Sequence, residues 1–345
     1  MSVVVGWDVG GAHLKAARAE NGRIVDAIQV ASPLRLGLER LAQSFVEAKA
    51  KIGTADLHAV TMTGELADTF ASRIDGVEQL SELAMRELAP ARVSLYAGRS
   101  GFVEPQAARQ HADDIASANW FASASLAARI ARTALFVDMG STTTDLVPLV
   151  DGAIAARGYT DAERLAAGEL VYTGLVRSFV MAVGDRAPFA GHWSTLVNEY
   201  FANMADVHRI LGRLPDDADQ MATADGRAKT VQASRARLAR MVGCDVAHAS
   251  EGAWSTLAEW FAERQIRTIM DGAMLVLSCG NMPADAPILG AGIGEAVVRE
   301  VARRLGRKYV SFDSILDVAP AARGRASHCA PAAALAALAS TSNGW

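Results

Sequence analysis

Two short stretches of the sequence combine an aspartate with a turn of small residues, a combination suited to binding phosphate. In the first, Asp8 ends an apolar run and is followed by Gly10 and Gly11; in the second, Asp138 precedes Gly140. Glycine lets the backbone come close to a ligand, so that consecutive N–H groups can surround phosphate oxygens. The carboxylate beside them can hold Mg²⁺, which offsets the charge of a di- or triphosphate. Both stretches therefore predict a phosphate site with Mg²⁺.

The two stretches belong to an internal repeat. Residues 3–25 align with residues 133–155 at a constant offset of 130 residues, without a gap. Each copy reads as a buried strand, a small-residue turn, a second strand and an Asn-Gly or Asp-Gly hairpin turn before a third strand. A single copy is usually a strand end whose aspartate accepts hydrogen bonds from its own turn. A gapless duplication favours phosphate binding instead, with the two units holding a phosphate chain from both sides of a cleft.

The repeat indicates which residues would act at the two turns. The predicted phosphate-binding residues are Gly10, Gly11, Ala12 and His13 in the first copy and Gly140, Ser141, Thr142 and Thr143 in the second. Asp8 and Asp138 are the predicted Mg²⁺ ligands, and Lys15 either meets a phosphate or only flanks the hairpin in solvent. Lys15 aligns with Asp145, so the two copies differ in charge there and should not do identical work. Because each turn leads into a strand rather than a helix, neither is a P-loop or a Rossmann fingerprint.

A third glycine-rich stretch, residues 286–316, reads as strand, turn, helix and strand. Its turn holds the residues that we predict to contact a ligand: Gly290, Ala291, Gly292 and Gly294. The predicted helix covers residues 295–305 and ends before Gly306. The order is close to a dinucleotide fingerprint, but Glu295 stands where the third small residue belongs and would face a pyrophosphate. We therefore favour a loop that closes over a nucleotide or another ligand from the second lobe, rather than an NAD site.

The elements around these turns indicate an α/β protein with two lobes. The first lobe is predicted at residues 1–130 and the second at residues 133–325, with a mainly helical insertion at about 162–273. Residues 326–345 read as a C-terminal helix that returns to the first lobe. Apolar spacing predicts one continuous helix over residues 113–131, between the lobes.

The helical insertion contains further features that could carry function. Residues 212–227 are turn-rich and acidic, which suits either a mobile lid or plain surface. Asp206 and His208 invite a metal interpretation, but residues two apart on a helix do not share a face, so polar contacts at the surface or between lobes are favoured. Trp254 and Trp260 are predicted to be core or interface anchors.

Composition excludes several classes of protein. The 345 residues carry a formal net charge of −4 and no run of aromatic and basic residues, so neither nucleic acid nor a membrane is a predicted partner. The three cysteines include no CxxC pair, which argues against a disulfide framework or a zinc knuckle and favours a reducing cytoplasm. The N-terminus lacks the basic region and cleavage site of a signal peptide. We therefore expect a cytoplasmic protein that acts on small molecules.

Several longer segments are more specific than the glycine turns alone. They are VTMTGELADTF (60–70), RLAAGELVYTGLVRS (164–178), NEYFANMADVHRILG (198–212), TADGR (223–227) and RLARMVGCD (237–245). The hairpin units and the late glycine loop resemble the fold shared by sugar kinases, actin and Hsp70, a two-lobed, ribonuclease H-like architecture with a central cleft. Within it, the longer segments resemble the hydantoinase/oxoprolinase group and its members linked to the tetrahydromethanopterin-dependent C1-transfer pathway. The resemblance covers nearly the whole chain and places an adenosine-type loop at residues 290–294.

The resemblance implies an ether-forming transferase of methanofuran or methylofuran synthesis. In that Mg²⁺-dependent reaction, the phenol of a γ-glutamyl-tyramine or tyrosine-type acceptor attacks an aminomethylfuran-methyl diphosphate, and diphosphate leaves. Both Asp-Gly turns could stabilise the leaving charge, so Asp8, Asp138 and Lys15 join the predicted catalytic set. Glu65, which follows an apolar strand and a Gly turn, is our candidate base for the phenol proton. The alternative for Glu65 is a cap in the first turn of a helix after Thr63.

Other functions would use the same residues. An ATP-dependent kinase or ATPase of a small metabolite would place adenosine at residues 290–294, and a non-catalytic C1-pathway subunit would bind nucleotide without turnover. The fold supports phosphate binding rather than phosphoryl transfer in particular, and the leading interpretation does not require ATP or ADP. The oligomeric state stays open, with a homodimer among the options.

Overall fold

The computed structural model describes residues 2–341, which form two compact units. The first unit comprises residues 2–136, 147–156 and 310–341, and the second comprises residues 137–146 and 157–309. Within the described residues, no helix combines the length and the apolar character needed to cross a bilayer.

The elements follow one another in a mixed α/β order. The strands are β1 (Val3–Val9), β2 (His13–Glu20), β3 (Arg23–Ala31), β4 (Leu57–Met62), β5 (Arg92–Tyr96), β6 (Phe102–Val103), β7 (Ala134–Met139), β8 (Thr144–Val150), β9 (Ala153–Ile154), β10 (Leu170–Val171), β11 (Arg186–Phe189), β12 (His192–Thr195), β13 (Ile288–Ala291) and β14 (Tyr309–Ser311). The helices are α1 (Leu38–Ile52), α2 (Arg73–Leu88), α3 (Ala112–Ile115), α4 (Asn119–Ala131), α5 (Asp161–Ala167), α6 (Val180–Val183), α7 (Met204–Ile210), α8 (Val231–Met241), α9 (Glu251–Leu277), α10 (Glu295–Arg304), α11 (Arg325–His328) and α12 (Ala330–Thr341).

The two large sheets share a strand order that reflects the sequence repeat. One sheet runs β3-β2-β1-β4-β5-β6, and the other runs β10-β8-β7-β13-β14 with β9 paired to β8. In both, the first strand of the repeat has its hairpin partner on one side and a strand from later in the chain on the other. The predicted α/β fold with a duplicated hairpin unit is thereby confirmed.

The hairpin turns of the two copies have matching backbone conformations. Asn21 and Gly22 have φ values of 51° and 85°, and Asp151 and Gly152 have φ values of 52° and 84°. Positive φ at both central residues is typical of the type I′ turn, whose twist matches that of the strands it joins. The predicted Asn-Gly and Asp-Gly turns are confirmed.

The sheet of the first unit is covered by helices on both faces. On one face, Trp7 and Val9 pack with Phe45 of α1 and Leu80 of α2 in a continuous apolar core. On the other face, α12 lies so close to β1 that a Cβ added to Gly6 would stand 2.0 Å from a backbone oxygen of that helix. The alanine-rich composition of α12 suits this approach because small side chains let helix and sheet backbones come together. The face that carries Gly6 also carries Asp8, since the two residues are two positions apart on β1.

The helical part of the second unit has its own core and a buried ion cluster. Trp254 and Phe261 of α9 pack with apolar residues of α7 and α8. Arg237 and Asp206 are both buried, and the guanidinium Nη2 lies 2.6 Å from Oδ1 of the carboxylate. Arg237 also pairs with Asp225 at 3.1 Å. Asp206 therefore lies inside the unit, and the predicted surface or interlobe role for it was wrong.

The same cluster ties down the acidic stretch at residues 212–227. Asp225 is bound by Arg237, and Asp219 is bound by Arg209 of α7. The Asp225 pKa is lowered; burial acts in the opposite direction, and the backbone hydrogen bond from Arg227 and the charge of Arg237 more than offset it. These ion pairs hold the middle and the C-terminal part of the acidic stretch to α7 and α8.

The predicted continuous helix at residues 113–131 is wrong, because the structure has two helices there. The helix α3 ends at Ile115, and α4 begins at Asn119. Between them Ser117 has a φ of 54°, and Ala116 forms a bridge to Met62 at the end of β4. A residue in the left-handed region interrupts an α-helix, so this break directs the chain past the end of β4.

Candidate active site

The first turn, residues 10–13, presents backbone N–H groups beside a buried aspartate. The Gly10 nitrogen donates to the His13 oxygen at 3.0 Å and closes the turn. Within residues 2–341, the amides of Gly11 and Ala12 have no hydrogen-bond acceptor. A Cβ at Gly11 would meet nothing within 4 Å, so the space above this amide is open. Asp8, at 5% exposure, ends β1 just before these groups.

The end of β4 lies directly against the first turn. The amides of Thr63 and Gly64 donate to the Val9 oxygen at 3.0 and 3.1 Å. A Cβ at Gly64 would stand 3.5 Å from the Gly11 nitrogen, which shows how closely the two segments approach. The next residue is Glu65, which is buried. The structure therefore brings the candidate base to the edge of the sheet that carries the first turn.

Glu65 is held by partners from two other elements. Ser117 donates its hydroxyl hydrogen to Oε1 at 2.9 Å, and the Arg73 Nε lies 3.8 Å from the same oxygen. The nearest helix, α2, begins eight residues later at Arg73, and its N-cap is Ser72. Glu65 is thus outside any helix, and the alternative role as a first-turn cap was wrong.

Lys15 and Thr61 flank Asp8 on the same face of the sheet. Asp8 is directly opposite Lys15 on the antiparallel strand β2 and opposite Thr61 on the parallel strand β4. Residues directly opposite each other on neighbouring strands point their side chains to one face. The Thr61 hydroxyl is buried and, among the described residues, has no hydrogen-bond partner. An ammonium group, a carboxylate and a hydroxyl therefore meet at the end of β1.

The second turn, residues 140–143, repeats the geometry of the first. The Gly140 nitrogen donates to the Thr143 oxygen at 2.9 Å, the counterpart of the bond that closes the first turn. The amides of Ser141 and Thr142 likewise have no acceptor in the part of the chain that the structure describes. Asp138, at 8% exposure, precedes this turn on β7.

The residue aligned with Lys15 has a different environment. Asp145 accepts a hydrogen bond from Nη2 of Arg164 at 2.7 Å, and Arg164 is almost completely buried. Arg164 also donates to the backbone oxygen of Glu169. A carboxylate bound to a buried guanidinium stabilises the fold of the second unit, so Asp145 has a structural role.

The glycine-rich loop, residues 290–294, packs against the start of the second turn. A Cβ at Gly292 would stand 2.4 Å from Oδ1 of Asp138, and Gly292 has a φ of 86°. A Cβ at Gly294 would overlap the Met139 side chain, and the Gly294 nitrogen donates to the Met139 oxygen at 2.9 Å. These glycines are therefore required by close packing, which places the loop beside Asp138.

A segment that sequence reasoning missed wraps the second turn. The amides of Leu175 and Arg177 donate to the oxygens of Gly140 and Ser141 at 3.0 and 2.7 Å. The exposed Arg177 guanidinium donates to the Thr142 hydroxyl at 3.2 Å. The sequence pattern that could have indicated this segment is the run Thr-Gly-Leu-Val-Arg-Ser at residues 173–178, which combines a glycine, two hydroxyl groups and one cation.

A buried hydrogen-bonded chain supports this segment from below. Gln265 of α9 donates to the Thr173 hydroxyl at 2.9 Å and to the Gly174 oxygen at 2.8 Å, and its own oxygen faces Nε2 of His208 at 2.9 Å. Because the Gln265 oxygen can only accept, His208 carries its proton on Nε2. Burial lowers the His208 pKa, which keeps the ring neutral. His208 therefore positions the wrapping segment from inside the second unit, and the predicted surface or interlobe role for it was wrong.

The side chains at the turns do not form a complete metal site by themselves. Within residues 2–341, no group of three or more His, Cys, Asp or Glu side chains is arranged to hold a metal ion. Each turn supplies one carboxylate, Asp8 or Asp138, next to open amides. Mg²⁺ is commonly bound by one or two carboxylates together with substrate phosphates and water, so this donor set fits Mg²⁺ that arrives with a phosphorylated substrate.

Comparisons with known proteins agree with this architecture. Residues 56–340 match the family described as hydantoinase/oxoprolinase. The chain is 26% identical to the (4-{4-[2-(gamma-L-glutamylamino)ethyl]phenoxymethyl}furan-2-yl)methanamine synthase of Methanocaldococcus jannaschii, over 86% of this chain and 88% of that protein. A nucleotide-free structure of acetone carboxylase has a TM-score of 0.57 at 11% identity and covers 97% of this chain and 70% of its own. A ROK family glucokinase from Streptomyces griseus has a TM-score of 0.48 at 13% identity, and the match covers 98% of this chain and 99% of the glucokinase chain.

Proposed function

The chain belongs to the hydantoinase/oxoprolinase family, and from this premise we propose that it is an ether-forming synthase of methanofuran or methylofuran synthesis. The name of its relative from Methanocaldococcus jannaschii describes a product in which a phenol oxygen is joined to a furan-methyl carbon. We propose the same class of reaction for this chain, with an aminomethylfuran-methyl diphosphate as donor and a tyramine- or tyrosine-type phenol as acceptor.

The bonds made and broken in this reaction define what the site must do. The phenol oxygen forms a C–O bond to the furan-methyl carbon, the bond from that carbon to the diphosphate breaks, and the phenol proton passes to a base. Diphosphate leaves with the electron pair of the broken bond. The enzyme must therefore stabilise charge on a leaving diphosphate and accept one proton.

One observation carries the proposal: open amides and a buried carboxylate occur together at one edge of the first unit. The amides of Gly11 and Ala12 can donate to diphosphate oxygens, and Lys15 can pair with their charge. Glu65 has one oxygen held by Ser117, so its carboxylate is oriented before substrate binds and can accept the phenol proton. The reaction requires a group that binds the leaving anion and a base that accepts the phenol proton, and these residues can supply both.

The second turn carries the same kinds of group as the first. Its open amides at Ser141 and Thr142 offer further donors, and Asp138 offers a second carboxylate. Mg²⁺, bound through Asp8 or Asp138 and the substrate, would neutralise part of the charge on the leaving diphosphate. The glycine-rich loop at residues 290–294 would complete the ligand contacts beside Asp138.

A mass-resolved turnover assay tests the proposal. Purified chain with Mg²⁺ is given the furan-methyl diphosphate and γ-glutamyl-tyramine or tyrosine, and a parallel reaction contains ATP with the same phenols. We expect an ether product and free diphosphate without ATP, lost in Asp8→Asn and Asp138→Asn but kept in Asp271→Asn, a surface change on α9. ADP and a phosphorylated phenol would instead establish a kinase. Full activity in both turn variants would overturn the role of the turns.

A further inference from the structure

We propose that Arg177, Phe179 and Tyr200 form a recognition site for a phosphate group joined through a single carbon to a flat aromatic ring. The inference rests on the proposed function, because it names the residues of the second unit that would bind the aryl-methyl diphosphate. None of the three was a predicted site residue, although Arg177 and Tyr200 lie in two of the longer segments noted in the sequence. All three lie in the second unit, next to the second turn.

Arg177 supplies the phosphate-binding part of this site. Its backbone amide is bonded to Ser141, and its guanidinium reaches the Thr142 hydroxyl at 3.2 Å while staying exposed to solvent. A phosphate on the open amides of the second turn would therefore lie within reach of a guanidinium, whose several N–H donors suit phosphate oxygens. The hydrogen bond to Thr142 orients the Arg177 guanidinium before a ligand binds.

Phe179 lies on the same side of the chain as Arg177. The chain leaves a turn at residues 175–177 and is extended at Phe179: the Val180 amide donates to the Ala202 oxygen, and Phe179 forms an antiparallel bridge with Asn203. Arg177 and Phe179 are both exposed to solvent. Ser178, between the two, is buried, so the side chains before and after it both face solvent. The ring of Phe179 therefore lies two residues from the phosphate-binding guanidinium, and both side chains are open to a ligand.

Tyr200 pairs with Phe179 to form an exposed aromatic surface. The ring centroids are 4.5 Å apart with an interplanar angle of 46°, and the two residues are 42% and 40% exposed. Burial raises the pKa of the Tyr200 phenol, so the group is neutral near pH 7 and its hydroxyl can receive the Asn203 amide hydrogen. Two rings fixed side by side and open to solvent offer a flat ligand a place to pack.

The spacing of these groups selects the class of ligand. In an aryl-methyl diphosphate only one carbon separates the ring from the phosphate, which suits a guanidinium and a ring two residues apart. In ADP the whole ribose separates adenine from the diphosphate, so a nucleotide whose phosphates meet Arg177 would place its base beyond Phe179. The geometry therefore favours a small aromatic methyl diphosphate over a nucleotide.

Calorimetric titration of the full chain with three probes tests this inference. The probes are benzyl diphosphate, inorganic diphosphate and ADP, each with Mg²⁺. We expect Phe179→Ala and Tyr200→Ala to weaken benzyl diphosphate about fivefold and to leave inorganic diphosphate unchanged, because only a ring contact is lost. Arg177→Gln should weaken both about tenfold or more, because a charge-assisted contact to phosphate is lost. Phe179→Tyr, which keeps the ring, should bind as the natural chain does.

Matched controls and turnover separate the failure of this inference from that of the proposed function. Tyr172→Ala removes an exposed ring next to β10, and Arg267→Gln removes an exposed guanidinium on α9. Neither change should affect binding.

Three results for Phe179→Ala would overturn the inference. They are equal weakening of benzyl diphosphate and inorganic diphosphate, no weakening of benzyl diphosphate, and weakening of ADP to the same extent as benzyl diphosphate. The expected binding pattern without ether formation would remove only the proposed function. Ether formation with an unchanged KM for the furan-methyl diphosphate in Phe179→Ala would remove only the inference.

Discussion

Gly174 packs against Thr142 so tightly that a Cβ added to the glycine would stand 2.5 Å from the Thr142 backbone nitrogen. The same atom would lie 2.5 Å from the carbonyl carbon of Ser141. Real Cβ atoms do not approach backbone so closely, so only glycine fits here without a shift of one segment. The shape of the second turn therefore depends on a residue that lies outside the repeat.

We predict that Gly174→Ala displaces the second turn and removes most of the activity. The added methyl group must push either the turn or the wrapping segment aside, and a displacement of about 1 Å at a catalytic site can cost about 10²-fold in rate. Overpacking of this kind also costs about 1–3 kcal/mol of unfolding free energy. Ether formation and urea unfolding of the same variant measure the two effects.

Gly252→Ala provides the control for this glycine change. Gly252 lies near the start of α9, and the nearest atom to its added Cβ would be the Ser250 hydroxyl oxygen at 3.8 Å, an ordinary contact. Alanine in a helix should stabilise the protein by about 0.4–1 kcal/mol and leave turnover unchanged. If Gly174→Ala were as active as Gly252→Ala, the wrapping segment would have no role in shaping the turn.

We predict that Glu65→Gln lowers the rate of ether formation by about 10²–10⁴-fold, because an amide cannot accept the phenol proton. Glutamine keeps the size of the side chain and can still accept the Ser117 hydrogen bond, so the fold should persist. Steady-state rates and a thermal melt of the purified variant separate these outcomes. Glu78→Gln, on α2, removes a carboxylate that pairs with the exposed Arg109, and it should leave the rate unchanged. A fully active Glu65→Gln variant would require another base.

The repeat made much of the fold predictable from sequence. Apolar runs indicated β1 and β7, and Asn-Gly and Asp-Gly indicated the hairpin turns, since these are local patterns with local physical causes. The small-residue turns after Asp8 and Asp138 could be located for the same reason. The residues that determine a strand, its turn and its hairpin all lie within about twenty positions of one another in the sequence.

Contacts between distant parts of the chain could not be predicted in this way. The approach of Gly174 to Thr142 depends on how β8 and β10 pair, and the packing of Gly292 on Asp138 depends on β13 lying beside β7. The break at Ser117 involves no glycine or proline, so periodicity alone gave one helix where tertiary contacts impose two. Glycines that permit close packing look the same in sequence as glycines that bind phosphate.

We predict that His58 makes the stability of the protein fall as the pH drops below neutrality. His58 accepts a hydrogen bond from the Trp7 indole at 3.0 Å, and burial, aided by the charge of Lys49, lowers its pKa from 6.5 to about 4. The unfolded chain binds this proton near pH 6.5, whereas the folded chain resists it until about pH 4. The contribution of neutral His58 is therefore fully present above about pH 6.5 and is lost between there and pH 4, to a total of about 3 kcal/mol.

Urea unfolding between pH 7.5 and pH 4.5 measures this effect by comparison with variants. His58→Gln should be less stable than the natural chain at pH 7.5 and should lose less stability on acidification. His192→Gln changes an exposed histidine and should follow the natural chain throughout. Parallel pH profiles for the natural chain and His58→Gln would show that His58 is protonated equally in the folded and unfolded states.

We predict that Arg237→Met destabilises the second unit by about 3–5 kcal/mol, because it leaves the Asp206 carboxylate buried without its closest charge partner. Arg237 is fully buried and bonds Asp206 through two nitrogens, at 2.6 and 2.9 Å. Arg240→Met, on the same helix, removes a partly exposed guanidinium 3.5 Å from Asp225 and should cost no more than about 1 kcal/mol.

The double variant Arg237→Met with Asp206→Asn distinguishes a charge effect from lost packing. If the cost of Arg237→Met comes from an uncompensated charge, neutralising Asp206 should recover part of it. The double variant should therefore lose less unfolding free energy than the sum of the losses in the two single variants. Urea unfolding of the four proteins gives this difference directly. Strict additivity, or equal losses for Arg237→Met and Arg240→Met, would mean that packing rather than the ion pair anchors residues 212–227. As a second measurement, we expect limited proteolysis to cleave residues 212–227 only in the variants that lack Arg237.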